Sequence, residues 1–193
     1  MASCNQTGGY PYRDESIRKC VSVCTIGYAD PLAQSCVFNC TPGLYLNGSD
    51  SSNQTYKKCT ENCTSPYFAY NNTDTGICIE ICPVVPPYFG DTVGGLRICV
   101  EVCSVGSYGD QMNNSYRHCV SQCPNTTFAQ NDTLRRCVTR CNVSTYGRVT
   151  DWTCVDPQNC PPQYTGDPST NLCVTLCPAL NGTFSDNISK LCV

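Results

Sequence analysis

Cysteine recurs along this chain in pairs four residues apart, and that recurrence limits the fold more than any other feature. The CxxxC pairs are Cys20/Cys24, Cys36/Cys40, Cys59/Cys63, Cys78/Cys82, Cys99/Cys103, Cys119/Cys123, Cys137/Cys141 and Cys173/Cys177, with a wider spacer at Cys154/Cys160 and with Cys4 and Cys192 standing alone. Twenty cysteines in 193 residues is the density of a disulfide scaffold. Leu, Ile, Val and Phe total only 37 residues, so a large apolar core is excluded. The net charge of −3 is too small for a disordered polyelectrolyte, which leaves cross-links to stand in for burial.

Opening each repeat at the second cysteine of one pair and closing it at the first cysteine of the next uses all twenty cysteines. Ten repeats result: 4–20, 24–36, 40–59, 63–78, 82–99, 103–119, 123–137, 141–154, 160–173 and 177–192. From Cys20 to Cys192 nine steps cover 172 residues, a mean period of about 19, within the range of solenoid-like arrays. An aromatic follows each opening cysteine: Tyr10, Tyr28, Tyr45, Tyr67, Tyr88, Tyr108, Phe128, Tyr146, Tyr164 and Phe184. In five repeats an Asp comes soon after it (Asp30, Asp91, Asp110, Asp167, Asp186), often with Gly between, and these read as turn residues. A β-branched residue follows each closing cysteine, from Val21 and Val37 to Val193, which is strand chemistry.

The expected fold class is therefore small, disulfide-rich and mainly irregular β. Residues 1–193 form a single tandem array of ten hairpins with one disulfide each, and the array is expected to be an elongated rod. Ile79-Glu80-Ile81 and Val100-Glu101-Val102 alternate with period two, which predicts short strands at the junctions. Pro83, Pro124, Pro161 and Pro178 follow opening cysteines and keep the backbone extended or turning.

The string Cys99-Val100-x-x-Cys103-x4-Tyr108-Gly109-Asp110-x8-Cys119-Val120-x-x-Cys123-Pro124 resembles furin-like, or growth-factor-receptor cysteine-rich, repeats, especially the long arrays of ciliate (protist) surface proteins. In similar modules a single disulfide closes each bow-shaped loop. The resemblance thus implies Cys4–Cys20, Cys24–Cys36, Cys40–Cys59, Cys63–Cys78, Cys82–Cys99, Cys103–Cys119, Cys123–Cys137, Cys141–Cys154, Cys160–Cys173 and Cys177–Cys192. Parity favours the same connectivity, since it pairs the two solitary cysteines without a special rule. Bridging within each CxxxC, or an interlocked pattern in which each cysteine skips one, stays open at this level.

Cysteines in even number at this density persist as disulfides only in oxidising surroundings, so the chain is expected outside the cell or on its surface. Twelve N-glycosylation sequons agree: Asn5, Asn39, Asn47, Asn53, Asn62, Asn71, Asn113, Asn125, Asn131, Asn142, Asn181 and Asn187. N-linked glycans are expected and no other cofactor. Nucleic acid is excluded as a partner because the twelve Lys and Arg are scattered, and no apolar run approaches the roughly 20 residues that cross a bilayer. The opening Met1-Ala2-Ser3-Cys4 lacks the features of a signal peptide, so the sequence reads as a mature segment or a fragment.

Catalytic chemistry finds no support in the motifs. His118 is the single histidine and sits beside Cys119 on an arm expected to be exposed. Zinc favours reduced CxxC pairs, and calcium needs six to eight oxygens where each repeat offers one carboxylate. No catalytic residue and no metal ligand is therefore assigned. Arg18, Lys57, Arg97, Arg117, Arg135 and Lys190 stand two residues before closing cysteines and read as a solvated strand face. Trp152 reads as a replacement for an aliphatic of a neighbouring repeat.

What remains is a mechanical role: a non-enzymatic extracellular structural glycoprotein, the building block of a surface coat or fibre, with copies of itself joining end to end into filaments. The alternative is a ligand-binding or adhesive ectodomain of a receptor-like surface protein. The stretches without sequons, Asn71 to Asn113 and Asn142 to Asn181, would then present bare surface.

Overall fold

A computed structural model describes Cys4 and residues 9–47, 57–72, 75–111, 117–178 and 182–193. Twenty short strands carry nearly all of its regular structure, two per repeat. In chain order they are β1 (Tyr12–Asp14), β2 (Lys19–Val21), β3 (Tyr28–Asp30), β4 (Ser35–Val37), β5 (Tyr45–Asn47), β6 (Lys58–Thr60), β7 (Phe68–Asn72), β8 (Thr75–Ile79), β9 (Phe89–Val93) and β10 (Leu96–Val100). The second ten are β11 (Tyr108–Gly109), β12 (Cys119–Val120), β13 (Phe128–Gln130), β14 (Arg136–Val138), β15 (Tyr146–Arg148), β16 (Thr153–Val155), β17 (Thr165–Asp167), β18 (Leu172–Val174), β19 (Ser185–Asp186) and β20 (Leu191–Cys192). In the widened Cys154–Cys160 spacer the extra residues form one 3₁₀ turn, Pro157–Asn159.

Two ten-stranded sheets result, ordered β2-β1-β4-β3-β6-β5-β8-β7-β10-β9 and β12-β11-β14-β13-β16-β15-β18-β17-β20-β19. Within a repeat the aromatic arm pairs antiparallel with its own closing arm, and its other edge pairs parallel with the closing arm of the next repeat, as β3 does with β4 and then β6. A parallel pair normally needs a long crossover. Here the crossover is the repeat's own closing arm followed by the next repeat's aromatic arm, so a chain of hairpins builds a mixed sheet without helices. The chain also divides into two compact units, 1–82 with 90–99, and 83–89 with 100–193.

All ten bridges join the pairs implied by the furin-like resemblance, with Cα atoms 5.5–5.7 Å apart. In nine repeats the closing cysteine faces the residue just after the one opposite the β-branched position, as Cys36 faces Ala29 and Cys119 faces Gly109. The cystines therefore lie across the sheet and form much of its core: Cys63, Cys82, Cys103 and Cys137 are fully buried. A disulfide spans the sheet with little bulk, so a thin repeat builds a core from a cystine, one ring and one small residue.

Strand pairing moves four of the ten sequence-chosen aromatics. The residue opposite the β-branched position is Tyr12 rather than Tyr10, and Phe68 rather than Tyr67. Phe89 opens β9 where Tyr88 was expected, and in repeat nine Thr165, not Tyr164, faces Val174. The displaced Tyr67 and Tyr164 close a tight turn instead, donating their N–H to Thr64 O and Pro161 O. The junction strands expected at Glu80–Ile81 and Glu101–Val102 are bends, because β8 and β10 end at Ile79 and Val100 and the chain must turn into the next opening cysteine.

Candidate functional site

The junction between consecutive repeats is the structural element that recurs, and it is assembled from five positions. After the opening cysteine of six repeats a four-residue turn is closed by a backbone hydrogen bond, as from Ser107 to Ser104, Thr127 to Pro124 and Thr145 to Asn142. In five of these turns the third residue has positive φ, as at Gly106 (83°), Thr126 (78°), Ser144 (75°) and, in repeat nine, Gln163 (70°). A type II turn demands that conformation. The turn delivers the aromatic to the start of its strand.

The ring then packs onto the following repeat. Tyr146 and the Cys160–Cys173 bridge belong to one buried cluster, and Tyr108 packs on Cys123, Ala129 and Cys137. Space for the ring comes from the next repeat's residue opposite its closing cysteine. A Cβ on Gly109 would stand 2.6 Å from the Phe89 ring, one on Gly147 2.6 Å from Phe128, and one on Gly166 2.9 Å from Tyr146. These glycines sit in strands, which corrects the reading of Gly109 and Gly166, each just before an Asp, as turn residues. They are absent side chains under a neighbour's ring.

In four repeats the residue two before the closing cysteine covers the same ring. Lys57 lies over Tyr28 at 5.9 Å, Arg97 over Phe68 at 4.1 Å and Arg117 over Phe89 at 4.9 Å. Trp152 takes this place against Phe128, with centroids 5.4 Å apart. Three of the six cations expected on a solvated face are thus ring covers, and Trp152 replaces a cation rather than an aliphatic. A ring face carries negative charge density, which draws a cation more strongly as both leave water. Arg97 also donates from Nε to Tyr67 O at 3.1 Å and from Nη2 to Pro66 O at 3.0 Å. Burial, together with the neighbouring Arg136, pushes the Arg117 pKa below its ordinary value. The other three, Arg18, Arg135 and Lys190, have positive φ, as do Gln34, Trp152 and Asn171 at the same position. There the backbone matters: the carbonyls of Gln34, Arg135, Trp152, Asn171 and Lys190 accept from the preceding repeat's Arg13, Gly109, Ala129, Gly147 and Gly166 at 2.7–3.0 Å.

The Asp after the small residue closes its own loop and, near the N-terminus, clamps the next repeat. Asp30 accepts from Leu32 N and Ala33 N through Oδ1, and from Thr41 N and Oγ1 through Oδ2. Asp14, placed equivalently once Tyr12 is the register aromatic, accepts from Ser16 and Thr25. Hydrogen bonds from the Ser16 and Thr25 side chains lower its pKa to about 2. At Asp30 burial pulls the pKa up, but hydrogen bonds from Ala33, Thr41 and Leu32 outweigh it and the pKa falls below the usual value. Asp167 and Asp186 cap their loops in the same way, with Ser169 and Ser189.

Of the sequon asparagines, Asn39, Asn62, Asn71, Asn125, Asn131, Asn142 and Asn187 are exposed and Asn47 is half-buried. Asn5, Asn53, Asn113 and Asn181 lie outside the described residues. His118 accepts from Asp110 N through its carbonyl, at the start of the closing arm of repeat six. Among the described residues no three His, Cys, Asp or Glu side chains form a group that could hold a metal ion, and no helix is long and apolar enough to cross a membrane. Two hollows open on the second compact unit, one of about 400 Å³ beside Tyr146, Pro157 and Pro168, the other of about 440 Å³ beside Gln130, Asp132 and Asn159.

Comparison with protein-family models, with curated proteins and with solved structures finds no match for the chain. Its class is that of a disulfide-rich repeat protein with a mainly β fold, and ten cystines suit an extracellular or secreted protein.

Proposed function

We propose that the chain is an extracellular structural glycoprotein, a building block of a cell-surface coat or fibre that joins copies of itself end to end and performs no catalysis. The observation that carries this is the repetition of one junction chemistry. Eight parallel junctions use the same register, from Arg13 opposite Ser35 to Gly166 opposite Leu191, so any open aromatic arm is complementary to any open closing arm. Phe184 offers such a face. It is 75% exposed, whereas Phe68, Phe89, Phe128 and Tyr146, each followed by another repeat, are at most 5% exposed. Among the described residues the closing arm β2 stands at the edge of its sheet. A contact between unlike faces propagates as a filament unless its rotation closes a ring. The resemblance to furin-like and ciliate surface repeats supports the setting at a protist cell surface, and twelve sequons support the glycan coat.

Sedimentation and electron microscopy of the purified chain, alongside Phe184→Asp, test this. Concentration-dependent chains that the substitution abolishes are expected. A monomer at all concentrations overturns the fibre role and favours the adhesive-ectodomain reading, for which the two hollows on the second compact unit supply the surface.

A further inference from the structure

Repeat seven holds two sequons, Asn125-Thr126-Thr127 and Asn131-Asp132-Thr133, within one loop closed by Cys123–Cys137. The fold treats them differently. Asn125 is exposed in the turn Pro124–Thr127, but Thr127, whose hydroxyl completes the sequon, is only 1% exposed. Its Oγ1 donates to Pro124 O at 2.6 Å, and its N–H donates to the same oxygen at 3.1 Å. The next residue is Phe128, held between Trp152 and Gly147. Presenting this sequon as an extended peptide requires opening the turn and lifting the ring from repeat eight. Asn131, Asp132 and Thr133 are all exposed in the polar loop between β13 and β14.

Glycan transfer requires the acceptor amide and the sequon hydroxyl together. The Asn Nδ2 attacks the anomeric carbon of a polyprenyl-diphosphate-linked oligosaccharide: a C–N bond forms, the C–O bond to diphosphate breaks, the lipid diphosphate leaves with the electron pair, and the amide gives up one proton. A hydroxyl already bonded and buried is not available for that recognition.

We infer that Asn125 accepts a glycan only before repeat seven closes, whereas Asn131 stays an acceptor in the folded, bridged protein. This rests on the glycoprotein reading above. Closure of Cys123–Cys137 and its neighbours then acts as a timer that fixes occupancy at Asn125. The site matters to the surface, because Asn125 occupies the turn position that Val105 and Val143 fill in the adjacent repeats, each 91% exposed. A glycan there interrupts a row of apolar turn tips, which otherwise mark a surface for association.

The test presents the unglycosylated full chain to a purified oligosaccharyltransferase with its lipid-linked donor, once with bridges intact and once reduced and alkylated, and reads each site by glycopeptide mass spectrometry. In the bridged chain, occupancy at Asn125 is expected about tenfold or more below that at Asn131, since a local opening of even about 1.4 kcal/mol imposes that factor. In the reduced chain the two sites are expected to match. Comparable modification of both sites in the bridged chain overturns the timing at Asn125, and refusal at Asn131 in the bridged chain overturns its half. If the reduced chain accepts at neither site, the glycoprotein reading of this repeat falls and the proposal falls with it.

Discussion

The Cα of Gly109 lies so close to the Phe89 ring that a Cβ there would stand 2.6 Å from Cζ and 2.7 Å from both Cε atoms. One residue's missing side chain is the seat of another's ring twenty positions earlier. Three ring atoms are met at once, so no small tilt of Phe89 relieves the clash, and Phe89 itself is fully buried. Gly109→Ala is therefore expected to destabilise the second compact unit by about 1–3 kcal/mol, the usual cost of overpacking. Gly147→Ala against Phe128 should behave alike. Hydrogen exchange of the neighbouring amides, measured with bridges intact, checks this, and unchanged protection in either variant would refute the ring-seat account.

The cation over the ring gives a second expectation. Arg97→Ala removes the guanidinium 4.1 Å above Phe68 along with two hydrogen bonds to the turn that carries Tyr67. A loss of about 2 kcal/mol follows from a partly desolvated cation–π contact plus charged hydrogen bonds. Arg97→Lys should recover only part of it, because an ammonium keeps the charge but not the planar fork that reaches Tyr67 O and Pro66 O together. Chemical denaturation of both variants separates the contributions, and a neutral Arg97→Ala would return this residue to the solvated face that the sequence implied.

Acid should loosen the junction between the first two repeats. Asp14 has a folded pKa of about 2 against an ordinary 3.8, lowered chiefly by hydrogen bonds from the Ser16 and Thr25 side chains. A depressed carboxylate contributes stability that is complete above its unfolded pKa and is lost as pH falls through the folded one. The loss is thus expected between about pH 4 and 2. Asp30 shifts in the same direction and clamps Thr41 in the same way, so the second junction follows the first. An NMR titration of both carboxyl groups, with the Thr25 and Thr41 amides as reporters, checks the sign. Titration of Asp14 at its ordinary value would show that the clamp does not form in solution.

Much of this was legible in the sequence, and the parts that were not have a physical reason. Repeat boundaries followed from cysteine spacing, whereas the bridges were implied by the furin-like resemblance and favoured by parity, and only the fold decides them against the two rival patterns. The β-branched residues identified the closing arms, since Val37, Val120 and Val155 do pair with the aromatics. Register did not follow, because two adjacent aromatics such as Tyr67-Phe68 look equivalent until strand pairing sends successive side chains to opposite faces. A usable signal was present in six repeats, where the register ring is the aromatic followed at once by Ala or Gly, as in Phe68-Ala69, Phe89-Gly90 and Phe128-Ala129. It was missed because Gly before Asp also spells a turn. Cations over rings were hidden for a related reason, as Arg117 and its ring at Phe89 lie 28 residues apart and meet only through the fold.

Burial sets the expected order in which the bridges open under mild reduction. Thiol–disulfide exchange needs a thiolate in line with a sulfur, so a cystine inside the sheet waits for local opening while one at the surface reacts directly. Cys20 is exposed and its partner Cys4 half-buried, and Cys24 and Cys36 are both half-buried. Cys123 and Cys137, by contrast, are buried within a cluster with Ala129, Tyr108 and Val120. Cys4–Cys20 and Cys24–Cys36 should therefore be alkylated first in a timed reduction without denaturant, and Cys123–Cys137 among the last. Each bridge closes a loop of 12 to 19 residues and contributes about 3 kcal/mol through the unfolded chain, so loop length alone separates them little. Peptide mapping at each time point also reports connectivity. A Cys20–Cys24 product in the unreduced chain would contradict the hairpin repeat outright, and release of Cys123–Cys137 ahead of the first two bridges would show that the second sheet does not shield its core.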